Sequence, residues 1–95
     1  MELKYTNKFF RDLKRLKNDK TLIYTIAKKA NNIKAASSIK EIHELIRIRK
    51  TQAHYRIKIK ISDKLVYRIG VVAIKNTVWF ACINNDKKRF YKGFP

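Results

Sequence analysis

Residues 54–61 read HYRIKIKI, with Tyr55, Ile57, Ile59 and Ile61 at odd positions and Arg56, Lys58 and Lys60 at even ones. Alternation of period two marks a strand with one apolar and one polar face. A solvated strand ordinarily mixes Ser, Thr and Glu into its polar face, whereas this face carries only cations and His54. Cations set side by side on a sheet repel one another unless an anion lies over them. The excess runs through the whole chain, with 24 Lys and Arg against 7 Asp and Glu and a formal net charge of +17 over 95 residues. Charge of that size and placement points to a polyanionic partner, and nucleic acid is the obvious one.

The next apolar run, at 65–74, follows Ser62-Asp63-Lys64, a polar hairpin loop. Pairing Ile61 with Leu65 sets Lys58 opposite Arg68, Lys60 opposite Val66 and Gly70 opposite Arg56. A slip of one residue would drive Arg68 among Ile57 and Ile59. Arg68 is therefore expected on an open cationic face with Arg56 and Lys58, with empty space beside Gly70. Like charges directly across a ladder are destabilising, which argues for a bound phosphate over these residues.

Outward from this hairpin the chain reads as one α+β domain over 1–95. Residues 2–6 suit an edge strand. Phe9, Phe10, Leu13 and Leu16 recur at helical spacing after Thr6 or Asn7 as N-cap. A second helix is expected over about 20–35, capped by Asp19, with Leu22, Ile23, Ile26, Ala27, Ala30 and Ile33 on one stripe. The short polar link at 17–20 predicts an antiparallel helical pair. Ser38-Ile39-Lys40-Glu41 matches a capping box and predicts a short third helix over 39–45. Strands are expected at about 46–49, 54–61, 65–74 and 77–83, followed by a basic tail. This order predicts a small antiparallel or mixed sheet with the N-terminal helical pair packed on one face.

Composition excludes several classes. Cys82 is the lone cysteine and cannot form an internal disulfide, which fits a reducing, cytoplasmic setting. It lies within the apolar run VWFACI, where a packing role is expected. Two His and one Cys are too few for an ordinary zinc site, so no metal and no cofactor is expected. No apolar run approaches the roughly 20 residues of a membrane span, and the first residues hold no apolar signal region.

The segments KFFRDLKRL, SSIKEIHEL, HYRIKIKI, VYRIGVV and KRFYKGFP, in this order and spacing, resemble the RelE/ParE superfamily of toxins from bacterial type II toxin–antitoxin systems. The resemblance covers nearly the whole chain and implies a RelE-like fold, a small sheet with a helical pair against it. It also implies an acidic cognate antitoxin as partner. Many members are endoribonucleases that cut messenger RNA on the ribosome, whereas the ParE branch poisons DNA gyrase. For the ribonuclease branch, the resemblance implies Arg56, Lys58 and Arg68 from the strands and Tyr91 from the end as catalytic residues. Relatives often carry His-Arg shortly before that Tyr. This chain has Asp86-Lys87 there, so Lys87 stands in the Arg role and the His is missing. Lys60, Lys88 and Arg89 are expected to bind RNA.

Such residues suit cleavage of RNA by its own 2′-hydroxyl. The nucleophile belongs to the substrate, so the protein must orient it, stabilise charge on phosphorus and handle protons. Arg56 and Arg68 suit fork-like recognition of phosphate oxygens. Lys58, crowded by cations, is the candidate base, and Tyr91 would orient the 2′-hydroxyl or stack on a base. His54 shares the parity of these residues and could protonate a leaving group. His43 is read as a packing or surface residue. Of Trp79 and Phe80, alternation makes one a core residue and turns the other away. Lys8, Arg11, Lys14, Arg15 and Lys17 are read as a solvated helix face relieved only by Asp12, with RNA backbone as an alternative contact. Two other functions stay open: a non-catalytic gyrase inhibitor, and a non-specific nucleic-acid-binding module.

Overall fold

The loop at 62–64 closes on a serine: Ser62 Oγ accepts from the N–H groups of Lys64 and Leu65 at 3.3 and 3.1 Å, and the N–H of Ile61 donates to the carbonyl of Leu65 at 2.9 Å. These contacts come from a computed structural model, which describes residues 1–48 and 53–95. The loop joins β3 (His54–Lys60) to β4 (Val66–Ile74). The register is the expected one, with Lys58 opposite Arg68, Lys60 opposite Val66 and Arg56 opposite Gly70. β5 (Thr77–Asn84) continues the meander antiparallel to β4, β2 (Ile46–Arg47) flanks β3, and β1 (Glu2–Tyr5) lies parallel to β5. Among the described residues the sheet is five-stranded and mixed, in the order β1-β5-β4-β3-β2. Position 49 of the expected 46–49 strand lies outside the described residues.

α1 (Asn7–Arg15) and α2 (Lys20–Ala35) cover one face of this sheet. Thr6, not Asn7, is the N-cap of α1, its Oγ1 accepting from the N–H of Phe9 at 3.0 Å. Asp19 caps α2 by accepting from the N–H of Leu22 at 2.9 Å, as expected. The core on this side joins Phe9 of α1 and Leu22, Ile26 and Ile33 of α2 to Ile57, Ile69 and Phe80 of the sheet. Phe80 is thus the core aromatic, and Trp79 points away with Lys4 Nζ 5.3 Å from its ring centroid.

Four local features depart from the sequence expectation. The capping box at Ser38 is not made: Ser38 forms no side-chain cap, Glu41 Oε2 instead accepts from the N–H of Ser37 at 2.8 Å, and the helix shrinks to a 3-10 turn, Ile39–Glu41. Ile42 turns into the core directly afterwards and ends it. The basic tail is also more ordered than expected. It forms a short helix, α3 (Lys87–Gly93), N-capped by Asp86 Oδ1 accepting from the N–H of Arg89 at 3.1 Å. This helix covers part of the opposite, cationic face of the sheet, where Phe90, Phe94, Ile48 and Cys82 form a second cluster. Burial pushes the Cys82 thiol up from its ordinary range, so it packs as a small apolar group.

The third departure is at Gly70. The space beside it is not empty: a Cβ built there would lie 2.6 Å from Cys82 Sγ and 2.9 Å from the Phe94 ring. Glycine is what lets the C-terminal aromatic seat flat on β4. Gly70→Val should therefore displace Phe94 and destabilise the fold by about 1–3 kcal/mol. In thermal unfolding that is a fall of about 4–8 °C per kcal/mol for a domain this size. An unchanged melting temperature would show that Phe94 is not seated against Gly70.

The fourth departure is Asp12. Read as a relief charge on a solvated helix face, it is instead only 4% exposed. Its Oδ2 accepts from the N–H of Ile83 at 3.1 Å, and Arg15 and Lys8 reach it at 2.6 and 3.4 Å. The reason lies in β5, where the register with β4 shifts between Gly70 and Val71: Val71 faces Phe80 and Gly70 faces Cys82, leaving Ala81 as the extra residue of a bulge. β1 pairs with β5 only as far as Phe80. Beyond it α1 supplies the partners, as the Thr6 hydroxyl donates to the Ala81 carbonyl at 2.7 Å and Asp12 accepts from Ile83.

Candidate nucleic-acid interface

The cationic face is built row by row, because residues paired across a ladder project to the same side. One row joins Lys58, Arg68 and Asn84 across β3, β4 and β5. The next joins Arg56, Gly70 and Cys82, and over its Gly70–Cys82 end sit Phe94 and Phe90. α3 therefore runs as a wall beside the Lys58–Arg68–Asn84 row and lowers Tyr91 onto it. The Arg68 guanidinium lies 5.9 Å from the centroid of the Tyr91 ring. Phe94, seated against Gly70, thus anchors the end of the chain that carries Tyr91.

Arg68 itself is not on an open face. It is 8% exposed, its Nε is buried with no hydrogen-bond partner, and no carboxylate pairs with it among the described residues. A buried cation without a counter-charge is strongly disfavoured, and the Tyr91 ring offsets that by only about 1–2 kcal/mol. The acidic residues are committed elsewhere: Asp12, Glu44 and Asp63 to ion pairs, Asp19 and Asp86 to helix caps, Glu41 to a turn, and Glu2 to Lys4. None of these carboxylates pairs with Arg68.

Arg56 and Tyr91 meet at a hollow of about 370 Å³, whose other walls are Ile46, Arg47 and Ile48. Arg56 is half-buried, and Arg47 lies with its guanidinium 5.8 Å from the Tyr55 ring. Ile46 and Arg47 escaped the sequence reading, and only their place in the strand order could have found them. Lys58 is exposed in the same row as Arg68. The structure thus brings Arg56, Lys58, Arg68 and Tyr91 together. Lys87 and Lys88 are exposed in the first turn of α3. Lys60 is drawn to Asp63 in the hairpin loop at 3.0 Å, and Arg89 lines a separate cleft on the far side of β5. His54 is packed edge-on to the Phe94 ring at 5.4 Å. His43 is exposed beside the end of α2.

No group of His, Cys, Asp and Glu that could hold a metal ion occurs among the described residues, and none of their helices is long and apolar enough to cross a membrane. No protein-family model and no curated protein matches the chain. Among solved structures it is similar to a chain of the RelB–RelE antitoxin–toxin complex from Methanococcus jannaschii, with a TM-score of 0.70 and 21% identity over 96% of this chain and 98% of that one. At that identity the likeness is one of fold, and the α+β architecture with its mixed sheet is RelE-like.

Proposed function

We propose that the chain is the toxin of a type II toxin–antitoxin pair, an endoribonuclease that cleaves messenger RNA at the ribosome through the RNA's own 2′-hydroxyl. The observation that carries this reading is Arg68, a buried guanidinium with no carboxylate partner among the described residues, set in a row with Lys58 and beneath a tyrosine. The fold shared with a chain of an antitoxin–toxin complex supports it. Arg68 and Arg56 grip the non-bridging oxygens of the scissile phosphate and stabilise the charge that builds on them in the phosphorane. Lys58 takes the proton of the 2′-hydroxyl as the 2′-oxygen bonds to phosphorus; the P–O5′ bond breaks, leaving a 2′,3′-cyclic phosphate, and the departing 5′-oxygen takes a proton from solvent at the exposed Lys58 end of the row. Tyr91, held by its ring over Arg68, positions that hydroxyl for in-line attack. Lys87 in the first turn of α3 adds positive charge at the mouth of the site.

The test is 5′-end mapping of transcripts after induction of the chain, run beside a DNA-gyrase cleavage assay. New ends within translated messages, with no gyrase-linked DNA breaks, are the expected result. Gyrase-linked breaks without new RNA ends would replace this reading with a ParE-like one. Tyr91→Phe refines the assignment, since it keeps the ring and its 5.0 Å contact with Phe90 and removes only the hydroxyl. Cleavage should fall about 10²-fold. Cleavage at the wild-type rate would assign Tyr91 to packing alone.

The antitoxin is an acidic protein that uses two surfaces. Its carboxylates mimic phosphates on the cationic face, and its apolar side chains fill the groove of about 320 Å³ between α1 and α2, lined by Phe9, Phe10, Leu13, Ile23 and Ala27. Phe10 is 53% exposed there, an unusual position for a phenylalanine in a chain this polar. The complex should therefore persist at about 1 M salt, where the Debye length falls to about 3 Å. RNA binding by the free chain should collapse under the same conditions. Dissociation of the complex there, read by size-exclusion chromatography, would leave the groove without a role.

A further inference from the structure

The row Lys58–Arg68–Asn84 does not end at β5. Among the described residues no strand lies beyond Asn84, because β1 pairs with β5 only up to Phe80. The edge opens into a cleft of about 260 Å³ between α1, the end of β5 and α3, lined by Arg15, Asn84, Asn85 and Arg89. A smaller hollow beside it adds Lys8 to the wall. This cleft is cationic although Asp12 lines it and Asp86 stands beside Arg89. Asp12 at the floor is already occupied by Arg15, Lys8 and the N–H of Ile83. Asp86 caps α3 and stands 3.8 Å from Arg89 Nε, while the Arg89 side chain is 81% exposed. Asn84 Oδ1 accepts from the N–H of Asp86 at 2.8 Å, so the donor end of its amide is what remains for a ligand.

We propose that this edge cleft is a second phosphate subsite, which takes the RNA strand as it leaves the Lys58–Arg68–Asn84 row. The inference rests on the reading of the Arg68 face as an RNA site. Lys58 to Asn84 spans two strand spacings, about 10 Å, and α3 walls the row on one side. A strand lying along the row is delivered into the cleft with no change of direction. There Arg89 and the Asn85 amide hold a flanking phosphate, one step removed from the scissile one at Arg68. Such contacts give affinity and register without reading the base.

The probe is 2′-O-methyl RNA, which keeps the phosphates and lacks the nucleophile, at lengths of about 3 and about 9 nucleotides, one below and one within the roughly 4–16 nucleotides that single-strand sites fill. Binding to the full chain is read by fluorescence anisotropy as a function of salt. The double variant Arg89→Ala/Asn85→Ala should bind the long probe about tenfold more weakly, with a salt slope lower by about 0.7 for the lost phosphate, and bind the short probe as wild type does. Arg68→Ala should weaken both probes. Equal loss on both lengths in the double variant would show the cleft to be no separate subsite. No loss on either would assign its cations to an acidic protein segment and overturn the proposal. If Arg68→Ala changes neither probe, the RNA reading of the face itself fails, which is distinguishable from failure of the cleft alone.

Discussion

Arg68→Ala should lower RNA cleavage by about 10²–10³, the loss typical of removing one oriented donor to transition-state charge, and should abolish growth inhibition. The same substitution should leave the fold intact. In most proteins a buried arginine is a structural pin, and removing it strands a carboxylate. Here no carboxylate pairs with the guanidinium and its Nε has no partner among the described residues, so its removal strands nothing. Arg68→Met, which keeps volume beneath Tyr91, should even raise stability by about 1 kcal/mol, since apolar groups commonly outperform desolvated charges. The readout is therefore paired: activity collapses while the melting temperature rises by about 4–8 °C. A variant that loses both would show that the guanidinium holds the fold together. One that keeps full activity would remove Arg68 from the site.

Asp12→Ala should produce the largest loss of stability. The carboxylate satisfies the Ile83 N–H where β5 has β4 on one side but no paired strand on the β1 side, and a buried orphaned amide together with the lost charged hydrogen bond costs about 2–3 kcal/mol. For a domain of this size the melting temperature should fall by roughly 10–20 °C. Arg15 and Lys8 are 72% and 57% exposed at their side chains, so they return to water and add little. Asp12→Asn retains an acceptor for Ile83 and should recover about half of the loss. If both variants unfold like wild type, the bulge is held by something other than α1.

The register of the β3–β4 hairpin was legible to the residue and its strand bounds to within one, and the reason is local. Alternation assigned each side chain to a face, and Arg68 penalised the wrong register. The helix cap at Asp19 was legible for the same reason, being a contact across three residues, and that of α1 was legible down to a choice between Thr6 and Asn7. Asp12 was not legible, because its partner Ile83 lies 71 residues away and nothing in its own helix marks it. The bulge at Ala81 has no local signature either. It exists because β5 serves two cores, with Phe80 and Ile83 on the α1–α2 side and Cys82 beneath α3. α3 could have been found: Asp86 in capping position, Phe90 and Phe94 four apart and Gly93 after the basic run are helix signals. The weight of charge in that segment hid them. In the site, Arg56, Lys58, Arg68 and Tyr91 were legible through the strand parity and the family resemblance. The depth of Arg68 was not, since burial there depends on how α3 seats.

The bulge also fixes how this chain tolerates changes of length. Upstream of Ala81 the even-numbered residues of β5 face α1 and α2, and downstream the odd-numbered ones do. Deleting Ala81 would remove the bulge and restore a continuous alternation, with Cys82 still opposite Gly70 and Ile83 still opposite Ile69. The bulge thus holds one residue of slack, and the side chains beyond it would keep their faces. A deletion at Ile83 has no such slack: it would carry Asn84 into the place of Ile83 on the α1–α2 side and exchange the faces of the strand end that leads into α3. Insertions at the hairpin tip at 62–64 are as neutral as the loss of Ala81, because both strands leaving the tip keep their faces. Variation in length among proteins built this way is therefore expected at that tip and at Ala81, and excluded at Ile83.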